Sequence, residues 1–179
     1  CAAAARQPVP PRILLISSLA ATRPHLSHYA ASKHAGEAAL RASAGLEWII
    51  MRPPAVYGPG DREMLPLFRA IRSGLALVVG PRHQRLSLVH VSDLAAAVRA
   101  CLAQPAPCVG QAFELDDGQP GGYGWADIIA AVRGRLPVVP LYVPRTLLAA
   151  VAAVNEHLAR WFGYAPMLTP GKVRELSEP

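Results

Sequence analysis

RILLISSLAATRPHLSHYAASK, residues Arg12–Lys33, decides how the rest of the chain reads. Arg12 to Ser17 is a nearly unbroken apolar run between Pro11 and a polar stretch, the pattern of a buried parallel strand. From about His28 to Ser43, small and amphipathic residues predict a helix. On that helix Tyr29 and Lys33 stand four residues apart and share a face. A free phenol is a poor base at neutral pH, but an ammonium about 5 Å away, at an effective dielectric of about 20, favours the phenolate by about 3 kcal/mol. That suffices for acid/base work, and Ser18, at the end of the preceding strand, is placed to hold a substrate oxygen. Taken alone, Tyr-x-x-x-Lys more often describes an exposed helix that happens to carry both residues.

Outward from this stretch, strand and helix signals alternate. Leu46 to Met51 is a second buried strand, stopped by Pro53-Pro54, and a turn-rich loop follows through Tyr57-Gly58-Pro59-Gly60-Asp61. A short helix is expected around Met64 to Arg72, and strands at Leu75 to Val79 and Leu86 to Val91. Ser92 and Asp93 are the expected N-caps of an Ala-rich helix ending near Leu102. Gln111 to Leu115 reads as a short strand, Trp125 to Arg133 as a helix and Val138 to Val143 as extended. Pro144 suits the first turn of a longer helix to about Phe162, and Thr169-Pro170 repeats that signal for a last short one. The alternation predicts an α/β fold with parallel pairing.

Composition narrows the function classes. Hydrophobic residues make up 52% and charged residues 17%, which argues against disorder. The 18 prolines are about twice ordinary usage and punctuate the loops. No apolar run reaches the roughly 18 residues of a membrane span, so no membrane partner is expected. The formal charge of +6 comes from arginines scattered along the chain, without a basic run or interleaved aromatics, so no nucleic-acid partner is expected either. The Ala, Arg and Pro bias suits a GC-rich bacterial genome. Cys1, Cys101 and Cys108 form no metal spacing or paired framework, and the six histidines no zinc motif, which fits a reduced cytoplasmic setting and no metal.

Three ordered motifs then bear on function: ISSLAATRPHLSHYAASKHAGEAAL at 16–40, RPPAVYGPGD at 52–61 and LVHVSDLAAAV at 88–98. Together they resemble the extended, epimerase/dehydratase-like branch of the short-chain dehydrogenase/reductase superfamily, over about the first 100 residues. The resemblance implies a Rossmann-like, doubly wound parallel sheet, here partial. Residues 1–105 would be the later half of the NAD(P)-binding domain, and 106–179 a smaller substrate-side region. It implies NAD or NADP as cofactor and hydride transfer at a substrate hydroxyl or carbonyl, with the net outcome (reduction, oxidation, epimerisation or dehydration) open. Tyr29 would be the catalytic acid/base, and Lys33 would stabilise its phenolate and hold the nicotinamide ribose. Ser18 would be the catalytic hydroxyl, with Ser17 a strand-end residue, and Pro53 and Val56 would lie where the loop passes the nicotinamide. His90 and Asp93 are expected to be structural, Asp93 as a cap. Relatives often dimerise through the helix that carries the tyrosine, so a homodimer is among the expected assemblies.

Two departures bear on the substrate. Where sugar-nucleotide members carry Asn before Val-Tyr-Gly this chain has Ala55, and where they carry Arg four residues before the histidine it has Leu86, with Arg85 one residue earlier and so on the opposite strand face. A UDP- or dTDP-sugar is thereby doubtful, and a smaller or more apolar carbonyl compound becomes an equal expectation.

Gly118-Gln-Pro-Gly121-Gly-Tyr-Gly124 imitates the spacing of a dinucleotide fingerprint. Pro120 and the preceding Asp116-Asp117 suit a surface turn better, since the carboxylates would stand where pyrophosphate charge arrives. The fingerprint is therefore expected upstream of Cys1, in an Ala-rich opening that reads as the tail of a helix, and this chain as part of a longer enzyme. By itself it is expected to bind NAD(P) weakly or not at all. The rival expectation is a sensor or accessory subunit that binds NAD(P) without turnover, since fold alone does not establish reaction.

Overall fold

The computed structural model describes residues 1–81, 83–162 and 169–175. In chain order the elements are α1 (Ala2–Ala5), β1 (Ile13–Ile16), α2 (His28–Arg41), β2 (Trp48–Arg52), β3 (Ala55–Tyr57), α3 (Leu65–Arg72), β4 (Leu75–Val79) and β5 (Arg85–Leu86). They continue with β6 (Leu88–His90), α4 (Val91–Ala103), β7 (Ala112–Glu114), β8 (Tyr123–Gly124), α5 (Trp125–Arg133), β9 (Val139–Val143), α6 (Arg145–Phe162) and α7 (Pro170–Glu175). These group into two units interleaved along the chain: Cys1–Gly58 with Leu88–Gly118, and Pro59–Ser87 with Gln119–Pro179.

The first unit is built on a parallel sheet in the order β1-β2-β7, with Ile13 opposite Trp48 and Ile50 opposite Ala112. The central strand is hydrophobic from Trp48 to Met51 because it has a neighbour on either side and side chains covered on both faces; Ile49, Ile50 and Met51 are all buried. Leu40 of α2 and Leu46 close over Ile50, with Ala4, Ala5, Ile13, Leu15, Trp48 and Ala112 around them. Ser27 starts α2 where the strand-to-helix segment ends: its backbone is extended, and its Oγ accepts the Ala30 N–H at 3.0 Å.

Beside this sheet's elements, β3 and β6 pair in parallel, Val56 opposite Val89. The sequence expectation had only a loop here; a three-residue strand directly after two prolines carries too little periodicity to read. The expected Ser92/Asp93 cap of α4 is also corrected. His90 is the N-cap, its Nδ1 accepting the Ser92 N–H at 3.3 Å, while Asp93 lies in the first turn, where its charge complements the helix dipole.

The second unit pairs β4 with β9 in parallel, Leu77 opposite Leu141, and β5 with β8 in antiparallel fashion. Its core joins Ile71 of α3, Ala76 and Ile128 of α5, flanked by Leu67, Phe68, Leu86 and Tyr123. The single strand expected from Leu86 to Val91 is two: Arg85–Leu86 goes to β8, and Leu88–His90 to β3. Gly122 permits the first of these pairings, because a Cβ there would sit 2.7 Å from the Leu86 carbonyl oxygen. The architecture is α/β with parallel sheets, as the alternation of elements requires. No described helix is long and apolar enough to cross a membrane.

Candidate active site

All five residues singled out from the sequence lie in the first unit: Tyr29 and Lys33 on α2, Val56 in β3, and Ser18 and Pro53 just beyond the C-terminal ends of β1 and β2. That is the side of a parallel sheet on which ligands of open α/β folds bind. Ser18 ends the β1 segment as the N-cap of a 3-10 turn, Leu19–Thr22, its Oγ accepting the Ala20 N–H at 3.2 Å. The hydroxyl proton is left to donate elsewhere. Tyr29 and Lys33 occupy adjacent turns of α2, with the Lys33 Nζ 5.6 Å from the centroid of the Tyr29 ring. Tyr29 is 52% exposed, so its phenol is open to a reactant from outside the unit. Lys33 also donates to the Ile16 carbonyl at 3.3 Å, which draws its ammonium to the end of β1.

Backbone bonds fix the remaining segments. The Ser17 N–H donates to the Met51 carbonyl at 2.7 Å, and the Leu19 N–H to the Pro53 carbonyl at 2.9 Å. His34 Nδ1 lies 3.0 Å from the Ala21 carbonyl, joining the 3-10 turn to α2. Pro53 is thus buried at the exit of β2, and Val56 is held half-buried in β3.

Sequence reasoning missed the polar cluster beneath these residues. The Glu37 side chain is 1% exposed, and its Oε1 accepts from Ser17 Oγ at 2.6 Å and from Arg52 Nε at 2.9 Å. Its Oε2 accepts from Arg52 Nη2 at 2.7 Å and lies 3.2 Å from Arg41 Nη2. The fork of hydrogen bonds from Arg52 holds the Glu37 carboxyl below its usual range against the opposing effect of burial, helped by Ser17 and Arg41. The same pairing raises Arg52. One sequence signal was available: Ala30, Glu37 and Leu40 are the buried residues of α2, so a glutamate stands at a helical core position, where a charge requires a partner.

The sequence holds three cysteines, Cys1, Cys101 and Cys108. All three are free, and burial, with Cys108 beside it, pushes the Cys101 thiol up to about 11, away from the reactive thiolate.

A nicotinamide cofactor can be tested against these residues by their unused donors. An ammonium has three N–H bonds, of which Lys33 gives one to the Ile16 carbonyl, and Tyr29 is half exposed; both suit the nicotinamide-ribose end. The glycine-rich turn of the second unit does not suit the pyrophosphate. Gly118 N–H already donates to Asp116, Gly122 N–H to the Gln119 carbonyl and Gly124 N–H to Asp127. Arg85 donates there too, to the carbonyls of Gly121 at 2.5 Å and Gly122 at 2.6 Å.

The parallel α/β sheet defines a Rossmann-like fold, with Ser18 following β1 and Tyr29 and Lys33 on the helix after it. The chain belongs to the NAD dependent epimerase/dehydratase family, whose model matches residues 5–115. NAD or NADP is the cofactor of that family. The chain is 39% identical over 168 residues to ceramide reductase of Caulobacter vibrioides (strain NA1000 / CB15N), covering 92% of this chain and 51% of that protein. It is 31% identical over 98 residues to 2-alkyl-3-oxoalkanoate reductase of Stenotrophomonas maltophilia (strain K279a), covering 51% of this chain and 30% of that one. The chain therefore spans about half the length, or less, of these curated relatives. The fold is shared with the human epimerase family protein SDR39U1 (isoform 2), solved with NADPH, at a TM-score of 0.67 and 20% identity over 98% of this chain and 68% of that one.

Proposed function

We propose that the chain carries the acid/base portion of an NAD(P)-dependent oxidoreductase that interconverts a ketone and a secondary hydroxyl on an apolar, alkyl-bearing substrate. The observation that carries this reading is the Tyr29–Lys33 pair on α2, with Lys33 tied to the end of β1 and Ser18 at the head of the next turn. Ser18 would donate its free hydroxyl proton to the substrate oxygen and orient it toward Tyr29. Tyr29 would pass a proton to that oxygen in reduction and take it in oxidation. Lys33 would steady the phenolate by its charge and hold the nicotinamide ribose with its remaining N–H bonds. Pro53 and Val56 would bound the nicotinamide side. The cofactor, when bound, supplies or accepts the hydride at C4 of its nicotinamide.

The substrate class rests on other observations. Ala55 offers no side-chain amide to a phosphate, and Arg85 directs its Nε and Nη2 donors to the Gly121 and Gly122 carbonyls. Ceramide and 2-alkyl-3-oxoalkanoate, named in two relatives, both bear alkyl chains.

In the complete gene product, Tyr29→Phe should lower turnover by about 10²–10⁴-fold while NAD(P)H binding, followed by fluorescence, changes little. Near-normal turnover would end the assignment of Tyr29. A substrate panel checks the rest: alkyl-substituted oxo compounds should be reduced in preference to UDP-sugars, and the reverse order would overturn the substrate class.

A further inference from the structure

Taking the acid/base reading above as its basis, we infer that Ser17, Glu37 and Arg52 are positioning residues, a buried clamp that fixes where Lys33 and Ser18 stand. Each member adjoins a different segment of the site. Ser17 precedes Ser18, Glu37 follows Lys33 by one helical turn, and Arg52 precedes Pro53. The Glu37 carboxylate uses both oxygens, taking Ser17 Oγ and Arg52 Nε on one and Arg52 Nη2 and Arg41 on the other. β1, α2 and β2 are therefore joined through one buried group.

The peptide bond between Ile16 and Ser17 is where the clamp meets the chemistry. Its carbonyl accepts from Lys33 Nζ at 3.3 Å, and its N–H donates to the Met51 carbonyl at 2.7 Å. The Ser17 side chain on that same residue is pulled into the core by Glu37 at 2.6 Å. The ammonium that serves Tyr29 is therefore held by a carbonyl whose own orientation depends on Ser17. Ser18 inherits its position from the same residue one bond later.

Stability alone is a poor reason for such a cluster, because buried ion pairs can often be exchanged for packed apolar residues without loss. Its bonds instead impose direction. Arg52 bonds Glu37 through a two-pronged fork that a lysine cannot reproduce. Misplacement of a catalytic group by about 1 Å can cost about a hundredfold in rate.

The test uses the complete gene product with Ser17→Ala, Ser17→Thr and Arg52→Lys, alongside Tyr29→Phe, each verified as folded by circular dichroism. Ser17→Ala removes one hydroxyl and leaves the ion pair, Ser17→Thr restores the hydroxyl, and Arg52→Lys keeps the charge but loses the fork. Ser17→Ala and Arg52→Lys should lower kcat by about tenfold to a hundredfold with little change in the substrate KM. In both, the limb of the kcat–pH profile that disappears in Tyr29→Phe should move to higher pH, and NAD(P)H should bind several-fold more weakly by fluorescence titration. Ser17→Thr should recover most of all three. Folded Ser17→Ala and Arg52→Lys proteins with wild-type kcat, pH profile and NAD(P)H affinity, and only a lower melting temperature, would overturn the inference. Failure of the underlying reading would look different: Tyr29→Phe itself would keep its turnover.

Discussion

The two units handle polarity in opposite ways. The first hides charge, with Glu37 at 1% exposure inside a unit whose central strand is apolar and covered from Ile49 to Met51. The second leaves apolar side chains outside: Leu75 and Leu77 of β4 and Val139 and Leu141 of β9 are 40–66% exposed, with Ala76 and Val78 facing inward. On α6, Leu147, Val151 and Val154 are exposed at helical spacing. A buried carboxylate tolerates few arrangements, since each missing partner costs its full desolvation, so the first unit specifies atomic positions. Alternation along a two-stranded pair asks only for side chains of the right character, and the second unit specifies little beyond its own fold.

The sharpest way to break this contrast is Ile50→Ala. Ile50 is fully buried in β2, so the truncation should destabilise by about 2–5 kcal/mol. The shift of the urea midpoint measures it, and a loss under 1 kcal/mol would mean that the first unit is not the tightly packed one. Gly58→Ala should come next. Gly58 has φ +135, and a Cβ there would stand 2.8 Å from both His90 Nε2 and Val91 Cγ1, so strain of about 1–3 kcal/mol is expected. Because His90 caps α4, the loss should appear as faster amide exchange in the first turns of that helix; unchanged exchange would remove the coupling.

A third effect shows only in acid. Hydrogen bonds from Arg52 above all, with help from Ser17, depress the Glu37 carboxyl in the folded state. Its contribution is therefore complete above the ordinary glutamate value of about 4.3 and disappears as pH falls through the lower folded value. Between pH 5 and pH 3 the wild type should lose stability more steeply than Glu37→Gln, as followed by denaturation at fixed pH. Parallel slopes would show that the cluster is not ionised as drawn. The smallest effect belongs to the second unit: Leu77→Ala, at a side chain 40% exposed, should cost no more than about 1 kcal/mol. A loss as large as that of Ile50→Ala would erase the distinction between the units.

Much of the fold could be read in advance because its signals are local. Periodicity and breakers placed α2, β2, β4, α5 and α6 within a residue or two, since Pro11, Pro53-Pro54 and Pro144 each mark a boundary where the backbone cannot continue its element. The Tyr29–Lys33 pairing is also local, set by helical geometry over four residues. The failures lie where the deciding partner is remote. His90 displaced Ser92 and Asp93 as cap because its ring lies over the first turn of α4, a rotamer choice with no imprint in composition. The run from Leu86 to Val91 divided because its two ends meet different strands, Tyr123–Gly124 and Ala55–Tyr57.

By itself, then, the sequence determined the α/β class, most element boundaries and the placing of Tyr29 and Lys33 on adjacent turns of one helix, because all of these follow from steric and periodic rules over a few residues. Tertiary structure alone decided that Glu37 meets Ser17 twenty residues back and Arg52 fifteen residues on, and that Arg85 donates to a glycine turn thirty-six residues away. Such pairings depend on how strands pair and helices dock, and a hydrogen bond shorter than 3 Å leaves no trace in the chain between its ends.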